Sequence, residues 1–229
     1  MNIEQRIQEK VGVKADGNIG PVTMAAIGKT LGCEPNIRAV QAALGVRVDG
    51  IMGVVTKRTL AEKLGVDMAA IPPLWPKQAE VRAGSSIFGG WGKAEQNLVS
   101  LEPAYQLYFD GKPVKTIRVH KLIAPYVTLI FKEILAAYGS DKIHKLGFDQ
   151  FGGCYNNRST RSGRSKSMHA WGIAFDWAPD KNTMQMKGNE ASLARKECEK
   201  FWEIWESYGA ISLGRERNYD WMHVQFARL

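Results

Sequence analysis

The first 74 residues contain no aromatic side chain. All eight Phe, seven Trp and seven Tyr of the 229-residue chain lie from Trp75 onward. So abrupt a change excludes one uniform interior and predicts two cores of different make-up. Long apolar runs are missing too: no stretch approaches the roughly 18 to 20 residues that a membrane span requires. The opening MNIEQRIQEKVG lacks the apolar centre of a secretory signal. The expectation is a chain made in the cytoplasm, without stable membrane association and monomeric. Cysteine is scarce and odd in number: Cys33, Cys154 and Cys198 show no paired spacing, which argues against a disulfide framework or a thiolate metal cluster and for small buried apolar residues. A concentrated basic arm is also absent. The net charge of +8 is spread, with nine Lys and Arg against six Asp and Glu up to Gly65. A nucleic-acid partner is therefore not favoured, and a general attraction to an anionic envelope fits the charge equally well.

What the aromatic-free part has instead is an internal repeat. Val13-Lys-Ala-Asp-Gly-Asn-Ile-Gly-Pro-Val-Thr23 aligns at an offset of 33 with Val46-Arg-Val-Asp-Gly-Ile-Met-Gly-Val-Val-Thr56. Each copy reads as a short helix, a tight turn at Asp16-Gly17 or Asp49-Gly50, and a second helix capped by Thr23 or Thr56. One helix pair cannot bury its apolar face, so the two copies should close into one small all-α bundle. Residue by residue, Asp-Gly is ordinary turn chemistry. Beyond it, Ile71-Pro-Pro-Leu-Trp-Pro76 is stiff and proline-rich and suits a linker, set at residues 67–80, or the entry to the second domain.

The remainder, 81–229, mixes periods. Thr116 to Tyr138 carries apolar residues at helical spacing and stops at Gly139. A second helix is expected from Asn189 to Tyr208, with Leu193, Phe201, Trp202 and Trp205 inward. Ile173–Trp177 and Trp221–Phe226 read as short strands of a small antiparallel sheet, which makes the whole chain α+β.

Two segments of this part carry chemistry. Ser167 to Asp176 reads S-x-H-x-x-G-x-A-x-D, and Asp220 to His223 reads D-x-x-H. Together they offer two imidazoles, one carboxylate of the kind that holds a catalytic zinc, and a second carboxylate able to act as a base. Seven residues span roughly 10 Å along a helix and more than about 20 Å along a strand, so His169 and Asp176 can meet only if the chain turns between them. Gly172 is the pivot available. Met222, Val224 and Phe226 alternate with His223 and Gln225, which sets His223 on the polar face of its strand. His120 and His144 lie in no such context and are expected to be structural or exposed. Trp171 and Trp177 flank the motif and are expected in the core.

Both halves resemble known families. The D-G-x-x-G-x-x-T repeat over residues 1–66 resembles the peptidoglycan-binding domain of bacterial and phage cell-wall hydrolases, which implies a groove beside the two turns that contacts glycan or stem peptide. The paired motifs, with Gly152-Gly-Cys-Tyr-Asn-Asn-Arg158 upstream, resemble the D-alanyl-D-alanine carboxypeptidase-type zinc peptidases, which include D,D-carboxypeptidases and phage L-alanyl-D-glutamate endopeptidases. That resemblance implies Zn2+ on His169, Asp176 and His223, with Asp220 as general base where many members carry glutamate. It also implies a carboxylate- or oxyanion-holding role for Arg158, and Ser167 is expected to support the ligands or face substrate. Arg158 opens a basic loop with Arg161, Arg164 and Lys166. The expected whole is a phage endolysin acting on bacterial peptidoglycan after release from the host cytoplasm. The alternatives are a wall-remodelling carboxypeptidase and a wall-binding module that does not cut.

Overall fold

The computed structural model describes residues 3–66, 73–160, 163 and 165–229. It divides into two compact units, 1–74 and 75–229. The first six residues of the expected linker, 67–72, lie outside the described residues. Its last part does not behave as a linker: Trp75 is buried against Phe88, Tyr126 and Phe226 and donates its indole N–H to the carbonyl of Tyr208. The Gln78 amide donates to Arg228 O and the Arg228 amide to Pro76 O. Residues 75–80 belong to the second unit because a Trp of that size is stabilised by burial, which the aromatic-rich core supplies.

The first unit is all helical: α1 (Ile3–Lys10), α2 (Pro21–Leu31), α3 (Ile37–Leu44) and α4 (Val54–Lys63). Positions 33 apart play the same part. Ile7 and Val40, and Ile27 and Leu60, are fully buried in one cluster with Ile3, Met24, Ala61 and Val66. The turns are clamped by a pair of glutamines. Gln8 Nε2 donates to the Asp16 carboxylate, to Asn18 O and to Thr23 Oγ1, while its Oε1 accepts from Gly17 N. Gln41 does the same for Asp49, Ile51, Thr56 and Gly50. This corrects the expected role of the threonines. The N-cap positions are Gly20 and Gly53, and Thr23 and Thr56 lie inside the helices as buried acceptors for the glutamines. The hydrogen bonds from Gln8 and Gln41 hold the Asp16 and Asp49 carboxyls below their ordinary range.

The second unit runs α5 (Gln78–Ala83), β1 (Leu98–Leu101), β2 (Leu107–Phe109), β3 (Lys112–Val114), β4 (Ile117–His120), α6 (Ala124–Leu146), β5 (Phe151–Gly153), β6 (Ala174–Trp177), α7 (Glu199–Ser207), β7 (Ile211–Ser212), α8 (Leu213–Arg217) and β8 (His223–Gln225). β1 pairs with β4 and β2 with β3, while β5-β6-β8-β7 forms a four-stranded antiparallel sheet. The architecture is α+β. The core lies under the larger sheet, where Phe131, Trp177, Phe201 and Trp205 meet edge to face or tilted.

Two helices differ from expectation. Ile117–His120 is a strand, since Ile117 and Val119 point inward alternately and pair along Leu98–Leu101. The helix starts at Ala124, because Pro125 has no N–H to give and fits only the first turn. The helical run then passes a break at Gly139, whose φ of 68° and ψ of 161° are non-helical, and ends at Leu146. The second helix begins at Glu199 rather than Asn189. Upstream, Asn182 is fully buried. It accepts from Leu193 N and donates to Ala178 O, drawing 192–194 into a short 3-10 turn. No helix among the described residues is long and apolar enough to cross a membrane.

Candidate metal centre

The turn that His169 needs is built from short-range hydrogen bonds. Ser167 is the N-cap of a 3-10 turn over Met168–Trp171, and its Oγ accepts from the His169 amide at 3.4 Å. Gly172 closes the turn in the left-handed region, at φ 65°, and its carbonyl accepts from His120 N on β4. A Cβ there would stand 3.2 Å from that same backbone nitrogen. The chain then enters β6, and the pairing of β6 with β8 sets Asp176 directly across from His223.

The three expected ligands are brought together. His169 Nε2 lies 3.3 Å from Asp176 Oδ2, His223 Nδ1 lies 3.0 Å from Asp176 Oδ1, and the two ring nitrogens are 3.3 Å apart. One donor atom from each of the three falls within 4.8 Å of the others, a spacing that could hold a metal ion. Two imidazole nitrogens and a carboxylate oxygen are the donor set that suits zinc with a position left open. Burial alone would raise the Asp176 carboxyl, but hydrogen bonds with His169 and His223 hold it well below the usual range. Burial alone would lower His223, and the facing Asp176 and the nearby Asp220 raise it instead. Behind the cluster, His169 Nδ1 lies 2.7 Å from the carbonyl of Cys154.

Asp220 opens onto the same cleft. Its φ of 54° is unusual for a residue with a side chain. The strained turn is held at both ends: the Asp220 amide donates to Met184 O, and its carbonyl accepts from His223 N. Arg158 and Ser167 line the cleft as well, and the Ser167 amide donates to Arg158 O. The cleft holds about 320 Å³. Arg161 and Arg164 lie outside the described residues. Trp171 and Trp177 are core residues, fully buried. His120 is buried against Phe88, and His144 is an exposed partner of Asp149.

Several cleft residues were not singled out from the sequence. Gln78 and Arg82 reach it from α5, tied to the motif by a hydrogen bond from Arg82 Nε to Lys166 O. Nothing in the spacing signals them, because they lie more than 80 positions upstream. Gln225 is different. It sits two residues beyond His223 on the same strand face, and that period was visible.

Residues 160–226 match the family model described as D-alanyl-D-alanine carboxypeptidase. The matched stretch contains the His169 turn, β6, Asp220 and β8, and it supports a metallopeptidase that acts on peptidoglycan. No curated protein and no solved structure matches the chain.

Proposed function

We propose that the protein is a zinc-dependent peptidoglycan hydrolase of the endolysin kind, cutting the stem peptide between L-alanine and D-glutamate. The observation that carries the reading is the convergence of His169, Asp176 and His223 in one cleft with a second carboxylate, Asp220. Zinc bound there supplies a Lewis acid for the scissile carbonyl and activates the attacking water. His169 and His223 are the neutral ligands and Asp176 the anionic one. Asp220 takes the proton from the water and passes it to the leaving amine. Arg158 holds a substrate carboxylate through its planar fork, which suits a stem peptide rich in carboxylates. Ser167 caps the turn that aims His169.

The first unit is proposed to bind the wall. A groove of about 510 Å³ runs between the first turn and the start of α3, lined by Ile19, Pro21, Met24, Ile37 and Arg38. Holding an insoluble polymer there raises the effective concentration of stem peptide at the second unit. Asp16 and Asp49 serve that groove by shaping its turns.

The family description favours one other reading, removal of the terminal D-alanine. Mass spectrometry of fragments released from purified peptidoglycan separates them. New L-alanine and D-glutamate ends, lost with chelator, restored by zinc and missing with His169→Ala, are expected. Release of D-alanine alone would establish the carboxypeptidase, and no metal-dependent product would leave a module that only binds wall.

A further inference from the structure

We infer that Gln225 is the positioning residue that selects which nitrogen of His223 faces the metal. The inference rests on the reading of His223 as a zinc ligand.

An imidazole offers a metal only the nitrogen that carries no proton, so whatever accepts the proton on one side determines the ligand atom on the other. His223 Nε2 lies 3.1 Å from Gln225 Oε1. A side-chain amide can present either end, and what settles its direction here is the second contact: Gln225 Nε2 lies 2.6 Å from the carbonyl oxygen of Ala227. A carbonyl only accepts. The NH2 group must therefore point to Ala227, which leaves Oε1, also only an acceptor, toward His223. Nε2 of His223 then carries the proton, and Nδ1 is bare where it meets Asp176 and His169. His169 is oriented by the same logic in mirror form, with the Cys154 carbonyl taking the proton on Nδ1 and freeing Nε2.

Gln225 is 1% exposed, so water does not replace its acceptor. Without it, the Asp176 carboxylate competes for a proton on Nδ1 at 3.0 Å, and that proton blocks the metal. The backbone carbonyl behind His169 cannot be removed by mutation, whereas Gln225 can. The two ligand histidines thus differ in how their orientation is encoded: one by the main chain, the other by a side chain two residues along the same strand.

The test is a competition titration of zinc against a chromophoric chelator, using the full chain. Gln225→Met keeps the length and burial of the side chain but has no oxygen to accept the proton. Zinc affinity is expected to fall about 10- to 100-fold. Long-range 1H–15N spectra of the zinc-loaded parent provide the second readout, which does not depend on the variant folding. His223 is expected to show a protonated Nε2 and a metal-bound Nδ1, and the Nε2 proton should exchange faster in Gln225→Met. Equal zinc affinity in parent and variant, or zinc on Nε2 in the parent, overturns the inference. A parent that binds no zinc overturns the site reading itself, and the inference with it.

Discussion

Replacing Gly172 by alanine tests whether the His169 turn is as tightly seated as its contacts indicate. Two costs arise. The residue sits at φ 65°, where a Cβ crowds the following carbonyl at about 1–2 kcal/mol. The added methyl would also stand 2.6 Å from Leu98 Cδ2 and 3.2 Å from the backbone nitrogen of His120. The leucine methyl can swing aside. The nitrogen cannot, because it belongs to β4 and donates to the carbonyl of Gly172 itself, so accommodation costs a further ~1–3 kcal/mol. The total, about 2–5 kcal/mol, is a large part of the ~5–15 kcal/mol that holds an ordinary domain. The assay is urea unfolding followed by tryptophan fluorescence. All seven tryptophans lie in the second unit, so the signal reports that unit alone. Gly111→Ala is the control: its φ is 70°, but a Cβ there meets nothing within 4 Å, and only the backbone cost of about 1–2 kcal/mol applies. Equal losses in the two variants would refute the idea that the turn is pressed against β4.

Three further outcomes are expected. Gln41→Leu removes four hydrogen bonds that clamp the second turn and should destabilise the first unit by roughly 2–4 kcal/mol, seen as early loss of far-ultraviolet helix signal while tryptophan fluorescence is unchanged; Gln8→Leu should behave alike. Burial pushes His120 down to about 4, so the unfolded chain takes up a proton below its ordinary 6.5 and the folded chain does not until pH 4. Stability attributable to this group is complete above pH 6.5 and falls as pH drops from 6.5 to 4, with a slope of at most about 1.4 kcal/mol per pH unit; His120→Phe should flatten that slope in denaturation curves recorded across the window. Arg158→Ala should lower kcat/KM on stem peptide about 10- to 100-fold, as loss of a charge-assisted hydrogen bond of ~1.5–3 kcal/mol implies, and much less on a substrate whose carboxylate is amidated; equal losses on both would assign the arginine to the fold instead.

Where helical and strand periods competed, neighbours outside the local window decided. Thr116 to Tyr138 has helical spacing throughout, yet its first residues pair with Leu98–Leu101 and Pro125 sets the true helix start. The proline was visible; the partner strand was not. Thr23 and Thr56 were sound caps by local rule, but Gln8 and Gln41, fifteen residues upstream, claimed their hydroxyls. The glutamines repeat at the same offset of 33 and stood in plain view, but no turn rule singles them out.

The sequence by itself determined the division into an aromatic-free repeat and an aromatic-rich remainder, the α+β class, and the two histidines and two carboxylates of the paired motifs. These depend on composition and on periods within some ten residues, where covalent spacing leaves few alternatives. Only the tertiary structure decided which nitrogen of His169 faces Asp176, that a cationic Arg82 joins the wall, and that the Trp75 indole is tied to Tyr208. Those depend on contacts between positions 15, 84 and 133 residues apart. Hydrogen-bond direction and burial are properties of the packed environment, and no spacing in the chain encodes them.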